Sequence, residues 1–182
     1  FYYKRDVIIL LNEKKDGKNL NDIAGDFNDF LQENGLKVFC SDIFTGTYQM
    51  PAYYEQVKKI EKLLSRLQRT ARIFWYDEFK FYDMALGSCG GATAELKKYC
   101  ASILLQILED DKNNGTDFYV LLKTYILSNK SMTECAEKLF IHKSTVAYRL
   151  NKMKEMYNLN IDSFDKVVEM YNSFRLLELI GI

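Results

Sequence analysis

Proline, histidine and tryptophan are nearly absent from this 182-residue chain, which has one of each. Because a zinc site needs several thiolate or imidazole ligands at short spacing, one histidine and four cysteines without a Cys-x-x-Cys pair exclude the usual patterns. The thiols of Cys40, Cys89, Cys100 and Cys135 are typical of free, mostly buried cysteines in a cytosolic protein. We therefore expect a cytoplasmic chain that holds neither a metal nor a cofactor.

Long apolar runs are also missing. No stretch reaches the length of a membrane-spanning helix and no signal peptide opens the chain, so no membrane partner is expected. The chain begins at Phe1 rather than Met, from which we expect a fragment that lacks an upstream sensor region. Hydrophobic residues make up 48% of the sequence, which is enough for a sizeable core.

Catalytic constellations are lacking as well. The sequence has no paired nucleophile and base, no metal cluster and no phosphate-binding loop, so we expect no catalytic residues and no enzyme activity. Asp42, at the end of a predicted strand, and the pair Asp110 and Asp111 are carboxylates in suggestive places. Asp42 has no partner at a suitable spacing, whereas Asp110 and Asp111 resemble a metal-binding pair; we expect solvated surface positions for all three.

The informative stretch is Ser131–Tyr157, which predicts two helices joined by a tight turn. The first helix is predicted at Met132–Leu139, with a cap from the hydroxyl of Ser131 or Thr133. The second is predicted at Lys143–Tyr157. Its apolar residues recur at spacings of four, three and four and form one stripe, Val146, Leu150, Met153 and Tyr157. This arrangement is typical of a helix-turn-helix, in which the second helix lies in the DNA major groove.

The net charge of zero gives no indication of nucleic acid binding, so any such signal must be local. The second helix carries Lys143, Arg149, Lys152 and Lys154 against Glu155, a surplus of three positive charges. Phosphate contacts supply most non-specific affinity, and this surplus is modest. We therefore predict that the chain binds double-stranded DNA as a homodimer.

Six residues of the second helix are candidate DNA contacts: Lys143, Ser144, Thr145, Tyr148, Arg149 and Lys152. The early hydroxyls are placed to reach base edges, whereas Lys143, Arg149 and Lys152 are expected to position the phosphate backbone. A solvated polar face is the alternative for each, and for Arg149 an internal salt bridge to Glu134 or Glu137. The single His142 is expected to cap or buttress the helix, with a base contact, and a pH-sensitive one, as the alternative.

The segment Phe140-Ile141-His142-Lys143-Ser144-Thr145-Val146-Ala147-Tyr148-Arg149-Leu150 resembles the C-terminal helix-turn-helix of PucR/CdaR-type bacterial transcriptional regulators. The family pattern is a hydrophobic residue, His-Arg-Asn-Thr, a hydrophobic residue, any residue and Tyr-Arg-Leu. The resemblance extends back to 118–125 and on through 159–161. Lys143 replaces the usual Arg and Ser144 the usual Asn, and Lys keeps the charge but loses the bidentate fork.

The segment before residue 88 predicts an α/β layer: strand 7–11, helix 22–32, strand 36–43, helix 52–70, strand 71–75 and an aromatic helix 76–86. This order resembles the degenerate GGDEF-like domain that precedes the helix-turn-helix in the family, although no Gly-Gly-Asp/Glu-Glu-Phe motif is present. The resemblance implies the cyclase fold without cyclase activity. The basic helix 52–70 would suit a membrane or acidic partner, but an ordinary solvated face is the preferred reading.

We predict an α+β chain of two domains, with a glycine-rich linker at Gly87–Thr93. Residues 1–88 would form the GGDEF-like signalling or dimerisation domain, and residues 89–182 an all-α domain with helices at 94–108, 118–127, the two of the motif and one ending near Leu179. The last helix is expected either to close the core or to form a dimer seam.

The resulting functional prediction is a dimeric, DNA-binding transcriptional regulator under the control of an upstream sensor region. RNA polymerase and an unidentified small-molecule effector are the further expected partners. The alternative is a small-ligand or nucleotide-binding signalling module whose terminal helices mediate protein–protein contact only. Exposure of the polar side chains at 143–152 favours the regulator, whereas their burial favours the module.

Overall fold

The computed structural model describes residues 2–3, 6–11, 20–90 and 92–182. Within them the structure contains both helices and short strands, as expected for an α+β chain. It divides into two compact units, Phe1–Glu61 with Arg69–Glu78, and Lys62–Gln68 with Phe79–Ile182. These units do not coincide residue for residue with the predicted domains 1–88 and 89–182, and the domain boundary itself stays a prediction.

The first unit contains a parallel pair of strands joined through a helix. It comprises β1 (Tyr2–Tyr3), β2 (Asp6–Val7), α1 (Leu20–Glu33), β3 (Val38–Cys40), most of α2 (Met50–Leu64) and β4 (Ile73–Trp75). β3 and β4 pair in parallel, with Val38 opposite Ile73 and Cys40 opposite Trp75. A parallel pair needs a crossover connection, and α2 provides it. The predicted strand–helix–strand order is confirmed over this part.

The predicted first strand is wrong. Val7–Leu11 was expected to be a strand covered on both faces, but β2 ends at Val7 and pairs antiparallel with the two residues of β1. Val7 is 62% exposed and Ile9 is 72% exposed. An apolar run stays buried as a strand only where neighbouring elements cover it, and among the described residues β1 is the one strand paired with this segment.

The core of the first unit is small. Leu31 of α1, Ile60 of α2 and Phe74 of β4 are buried, and the rings of Phe39 and Phe74 lie 5.8 Å apart. The predicted apolar face of α1 is buried in part: Leu31 packs inward, whereas Phe27 and Phe30 are about half exposed. The side chain of Ile23, also predicted on that face, lies outside the described side chains.

The second unit is helical. It contains α3 (Tyr76–Ser88) from Phe79 onward, a short 3-10 helix (Thr93–Tyr99), α4 (Ser102–Asn114), α5 (Phe118–Leu127), α6 (Met132–Leu139), α7 (Lys143–Tyr157) and α8 (Phe164–Leu179). The bounds of α5, α6 and α7 agree with the predicted ones because each helix has its own turn residues and its own apolar stripe. None of the described helices has both the length and the apolar character that crossing a membrane demands.

The predicted single helix at Ala94–Leu108 is wrong. The structure has a 3-10 helix there, then an extended Cys100, then α4. The reason is a buried hydrogen bond: the Ala101 N–H donates to Ser173 Oγ at 2.8 Å, and that hydroxyl donates to the Glu169 carbonyl at 2.7 Å. Because Ala101 N–H is bonded to α8, it is not available to continue a helix.

The core of the second unit is formed by the facing sides of its helices. Its largest fully buried side chains include those of Leu96, Leu104, Ile107, Leu121, Leu122, Leu150, Met153, Phe174 and Leu177. α8 therefore closes the core, as one of the two readings of its sequence predicted. Its outer side keeps Phe164 and Tyr171 exposed, so a dimer seam on that side stays a prediction.

The cysteines are free within the described structure. Cys100 and Cys135 are buried, while Cys40 and Cys89 are half-buried. Burial, and then the nearby Glu78 carboxylate, raises the pKa of Cys40 to about 11. Thiolate formation at this residue is therefore suppressed at neutral pH, as expected for a structural thiol.

Candidate nucleic-acid interface

The start and the end of α6 set the position of α7, which follows it. Ser131 caps α6, since its Oγ accepts a hydrogen bond from the Glu134 N–H at 3.3 Å, as predicted. α6 ends at Leu139, and the next residue, Phe140, has a left-handed backbone (φ 54°). The Ile141 N–H then donates to the Ala136 carbonyl at 3.0 Å, which closes the helix end. Phe140 is 95% exposed at this turn.

His142 occupies the N-cap position of α7. Its backbone is extended (φ −70°, ψ 145°), and its carbonyl accepts from the N–H groups of Thr145 at 2.9 Å and Val146 at 3.1 Å. Its side chain makes no capping hydrogen bond. The position at the helix start is therefore as predicted, but the backbone supplies the cap. Buttressing or a base contact by the exposed imidazole stays a prediction.

The apolar stripe of α7 is buried, as predicted. Val146 and Met153 are fully buried, Leu150 is 2% exposed and Tyr157 is 8% exposed. On α6 the small side chain of Ala136 is buried where α6 packs on α7. Because the stripe faces inward, the opposite side of α7 faces solvent.

The six candidate contacts lie on or beside that outer side. Lys143, Ser144, Tyr148 and Lys152 are exposed, and Tyr148 has 68% of its surface accessible. Thr145 and Arg149 are partly buried at its margin. Exposure of these polar side chains was the condition that distinguished the regulator from the ligand-binding module, and the geometry favours the regulator.

Arg149 forms an ion pair, but not with the residues named from the sequence. Its Nη1 donates to Asp117 Oδ1 at 2.6 Å, from α7 to the residue that precedes α5. The prediction that Glu134 or Glu137 pairs with Arg149 is wrong. Glu134 instead pairs with Lys138 at 2.6 Å, one turn along α6. An i, i+4 Glu–Lys pair on one helix forms readily and leaves Glu134 engaged locally.

Lys152 and Lys154 also have partners in the helical unit. The Lys152 Nζ lies 5.8 Å from the centre of the Phe118 ring, within the range of a cation–π contact. Lys154 Nζ lies 3.5 Å from Asp162 Oδ2. Lys143 has no ion-pair partner among the described residues, so its charge is the one most available to a phosphate.

The sequence reading missed the role of Asp111. Its carboxylate accepts from the backbone N–H of Phe118 at 3.0 Å and of Tyr119 at 2.7 Å, and the Thr116 hydroxyl donates to it as well. Asp111 therefore caps α5, where Thr116 or Asp117 was predicted to do so; the solvated position predicted for Asp111 is wrong. The available signal was Gly115, whose left-handed backbone (φ 63°) turns the chain back onto α4.

Two tyrosines beneath this surface are held neutral. Burial, followed by the nearby Asp110, raises the pKa of Tyr157 to about 12. Burial, followed by Cys100 and Glu178, raises the pKa of Tyr119 to about 12. Both side chains are more than nine-tenths buried, so their rings act as core residues of the helical unit at neutral pH.

The helices that form this surface match a known domain family. Residues 119–176, which run from α5 into α8, match the family model described as the PucR C-terminal helix-turn-helix domain. The chain carries a PucR-type helix-turn-helix domain. The resemblance read from residues 118–161 is confirmed over this region. Nothing among the matches bears on the GGDEF-like part.

Three relatives share part of the sequence. The proline-responsive transcriptional activator PutR of Bacillus subtilis (strain 168) is 27% identical over 84 residues, which are 46% of this chain and 20% of that protein. The purine catabolism regulatory protein of the same organism is 26% identical over 87 residues, 48% of this chain and 16% of that protein. An uncharacterised protein of Haemophilus influenzae (strain ATCC 51907 / DSM 11121 / KW20 / Rd) is 40% identical over 53 residues, 29% of this chain and 14% of that protein.

The chain thus matches a fifth or less of the length of each of these relatives. No solved structure matches it. The matched domain is described as a helix-turn-helix, and the two Bacillus subtilis relatives are described as a transcriptional activator and a regulatory protein. Together the matches support DNA binding and transcription regulation as the functional class of this chain.

Proposed function

We propose that this chain binds a promoter site on double-stranded DNA by inserting the outer side of α7 into the major groove, as a PucR/CdaR-type regulator. The observation that carries the proposal is the pattern of α7 inside the matched domain: the apolar stripe is buried and the polar side is exposed. The exposed side carries lysines and hydroxyl groups, which suit contacts to phosphates and to base edges.

The contacts divide by position along α7. Ser144 and Thr145 in the first turn reach base edges, and the Thr145 methyl suits a thymine methyl. Lys143, with no ion-pair partner among the described residues, and Lys152 bind phosphates. Tyr148 and Arg149 complete the contact surface.

A homodimer is the proposed binding state. One copy offers four cations on α7, two of which, Arg149 and Lys154, already face carboxylates. Two copies place two recognition helices on adjacent half-sites and double the phosphate contacts. The exposed outer side of α8, with Phe164, Val168 and Tyr171, is a candidate seam. A cytoplasmic location, an upstream sensor region, a small-molecule effector and RNA polymerase as a partner belong to the same proposal.

For the first unit we propose a degenerate GGDEF-like domain that signals or pairs subunits. The parallel pair β3–β4 with its crossover helix α2 supports this reading. The alternative function, a small-ligand or nucleotide-binding module whose terminal helices make protein contacts only, would use the same unit. The exposed polar side of α7 favours the regulator over it.

The test is a salt titration of binding to a mixed-sequence duplex. The double variant Lys143→Ala, Lys152→Ala is compared with Lys112→Ala, which removes an exposed lysine from α4. Each lost phosphate contact reduces the magnitude of the slope of log K against log salt by about 0.9. Because each subunit of the dimer loses two contacts, the double variant is expected to reduce it by about 3.6. Equal slopes for the double variant and the unmodified chain would contradict the proposal.

A further inference from the structure

We infer that Asp117 is a positioning residue for DNA recognition: it orients the Arg149 guanidinium so that this side chain reads a base edge rather than a phosphate. The inference rests on the proposed function, and it changes the role that the sequence indicated for Arg149. It depends on the contact between Arg149 Nη1 and Asp117 Oδ1, at 2.6 Å.

This contact fixes one edge of the guanidinium. A guanidinium carries five N–H donors in a planar fork, so one bond to Asp117 restricts its orientation and leaves donors for a second partner. The Arg149 side chain is 33% exposed, which leaves it accessible from solvent on the side of α7 that bears Tyr148 and Lys152.

Asp117 is itself held in place. It precedes α5, whose first turn is fixed by the bonds from Phe118 N–H and Tyr119 N–H to the Asp111 carboxylate. Asp117 makes no capping bond to α5, so its carboxylate is available to Arg149. The next residue, Phe118, is buried and lies under the Lys152 ammonium. The start of α5 therefore supports two of the cations of the candidate interface.

The energetics argue against a role in folding alone. Asp117 has 61% of its side chain exposed, and exposed ion pairs contribute little to stability. A carboxylate beside a phosphate-binding surface also opposes the approach of DNA. An arginine whose charge is partly compensated gains less binding free energy from a phosphate. Its planar, oriented guanidinium still suits bidentate hydrogen bonds to guanine O6 and N7.

The experiment compares two probes. One is the duplex enriched from a random-sequence pool by the unmodified chain, and the other is the mixed-sequence duplex of the salt titration. Asp117→Asn is compared with Glu137→Gln. Glu137 is exposed on α6 and forms no ion pair among the described residues, so this control removes a carboxylate that has no ionic partner there. The quantity measured is the ratio of the two affinities.

Removing either carboxylate is expected to strengthen binding to mixed sequence. Glu137→Gln leaves the ratio unchanged, whereas Asp117→Asn lowers it by about tenfold for each half-site because one base contact is lost there. In an Arg149→Ala background, Asp117→Asn has no further effect on the ratio. Arg149→Lys keeps the charge and loses the fork, and is expected to lower the ratio as well, which provides a second variant if Asp117→Asn fails to fold.

Two results overturn the inference without contradicting DNA binding by α7. If Asp117→Asn raises both affinities equally, as Glu137→Gln does, Asp117 is only a charge near the interface, and DNA binding by α7 remains standing. If Asp117→Asn lowers the affinity ratio as much in the Arg149→Ala background as in the unmodified chain, Asp117 does not act through Arg149. Absence of any duplex binding by the unmodified chain would refute the proposed function, and the inference with it.

Discussion

Phe140 illustrates how a single residue sets the geometry of the motif. It adopts a left-handed backbone (φ 54°) at the end of α6, and its side chain is 95% exposed. A residue with a Cβ is strained there, and glycine is the residue that relieves the strain. The exposed ring contributes almost no packing that would offset this cost.

The first prediction concerns that strain. Phe140→Gly is expected to raise the free energy of unfolding by about 0.5–1 kcal/mol, because the strain is lost and little packing is lost with it. Phe140→Ala keeps the Cβ and should leave stability within about 0.5 kcal/mol of the unmodified chain. Urea titration measures both variants. Destabilisation by Phe140→Gly would show that the ring packs against something, such as a second copy.

The cap supplied by Asp111 leads to a second prediction. Its carboxylate accepts two backbone hydrogen bonds at the start of α5, so Asp111→Ala should lower the free energy of unfolding by about 1–2 kcal/mol. The control is Glu109→Ala, on the exposed side of α4, the helix that carries Asp111. It should change the free energy of unfolding by less than about 0.5 kcal/mol. Similar values for the two variants would mean that the cap adds nothing.

At the scale of elements, the sequence and the structure agree where the signals are local. α5, α6 and α7 were predicted with their correct bounds, since each combines a turn residue with an apolar stripe of helical spacing. The exposed side of α7 followed from the same periodicity. Disagreement appears where a distant residue decides: the break before α4 depends on Ser173, and the partner of Arg149 depends on how α5 packs on α7.

The buried bond that breaks the helix predicted over 94–108 can be tested directly. Ser173→Ala leaves the Ala101 N–H without its acceptor, and an unpaired buried N–H costs about 1–3 kcal/mol. The same substitution at exposed Ser102 is the control. Thermal unfolding should show a large loss of stability for the first variant and almost none for the second. If both are neutral, the N–H has found another acceptor and the stated cause of the break is wrong.

In the whole molecule, the helical unit contains a match to a known domain family. The first unit is characterised by its helices and strands. The apolar run after β2 shows why sequence reasoning fell short there: hydrophobic periodicity predicts burial but not which neighbour supplies it. Charge shows a similar division, because the net value of zero conceals the cationic side of α7.

Stability of the helical unit at high pH follows from its buried tyrosines. The folded-state pKa of Tyr119 and of Tyr157 is about 12, against an ordinary value of 10.0. Between these values the unfolded chain releases the two protons and the folded chain keeps them, so the free energy of unfolding falls as pH rises. The fall is on the order of 2 kcal/mol per tyrosine.

Chemical denaturation from about pH 9, below the ordinary tyrosine pKa, to about pH 12, the folded-state pKa, measures this loss. The double variant Tyr119→Phe, Tyr157→Phe should flatten the pH dependence. Tyr99→Phe, which changes a tyrosine that is 65% exposed, should leave it as steep as in the unmodified chain. An unchanged slope in the double variant would assign the loss to other groups.

The central claim, that the outer side of α7 touches DNA, is tested most directly by site-specific cross-linking. A photoreactive phenylalanine analogue replaces Tyr148, which is 68% exposed on α7, or Tyr99, which is 65% exposed on the 3-10 helix. With a duplex enriched by the unmodified chain, we expect a protein–DNA cross-link from position 148 and none from position 99. Cross-linking from position 99 alone, or from neither position while the duplex is bound, would contradict it.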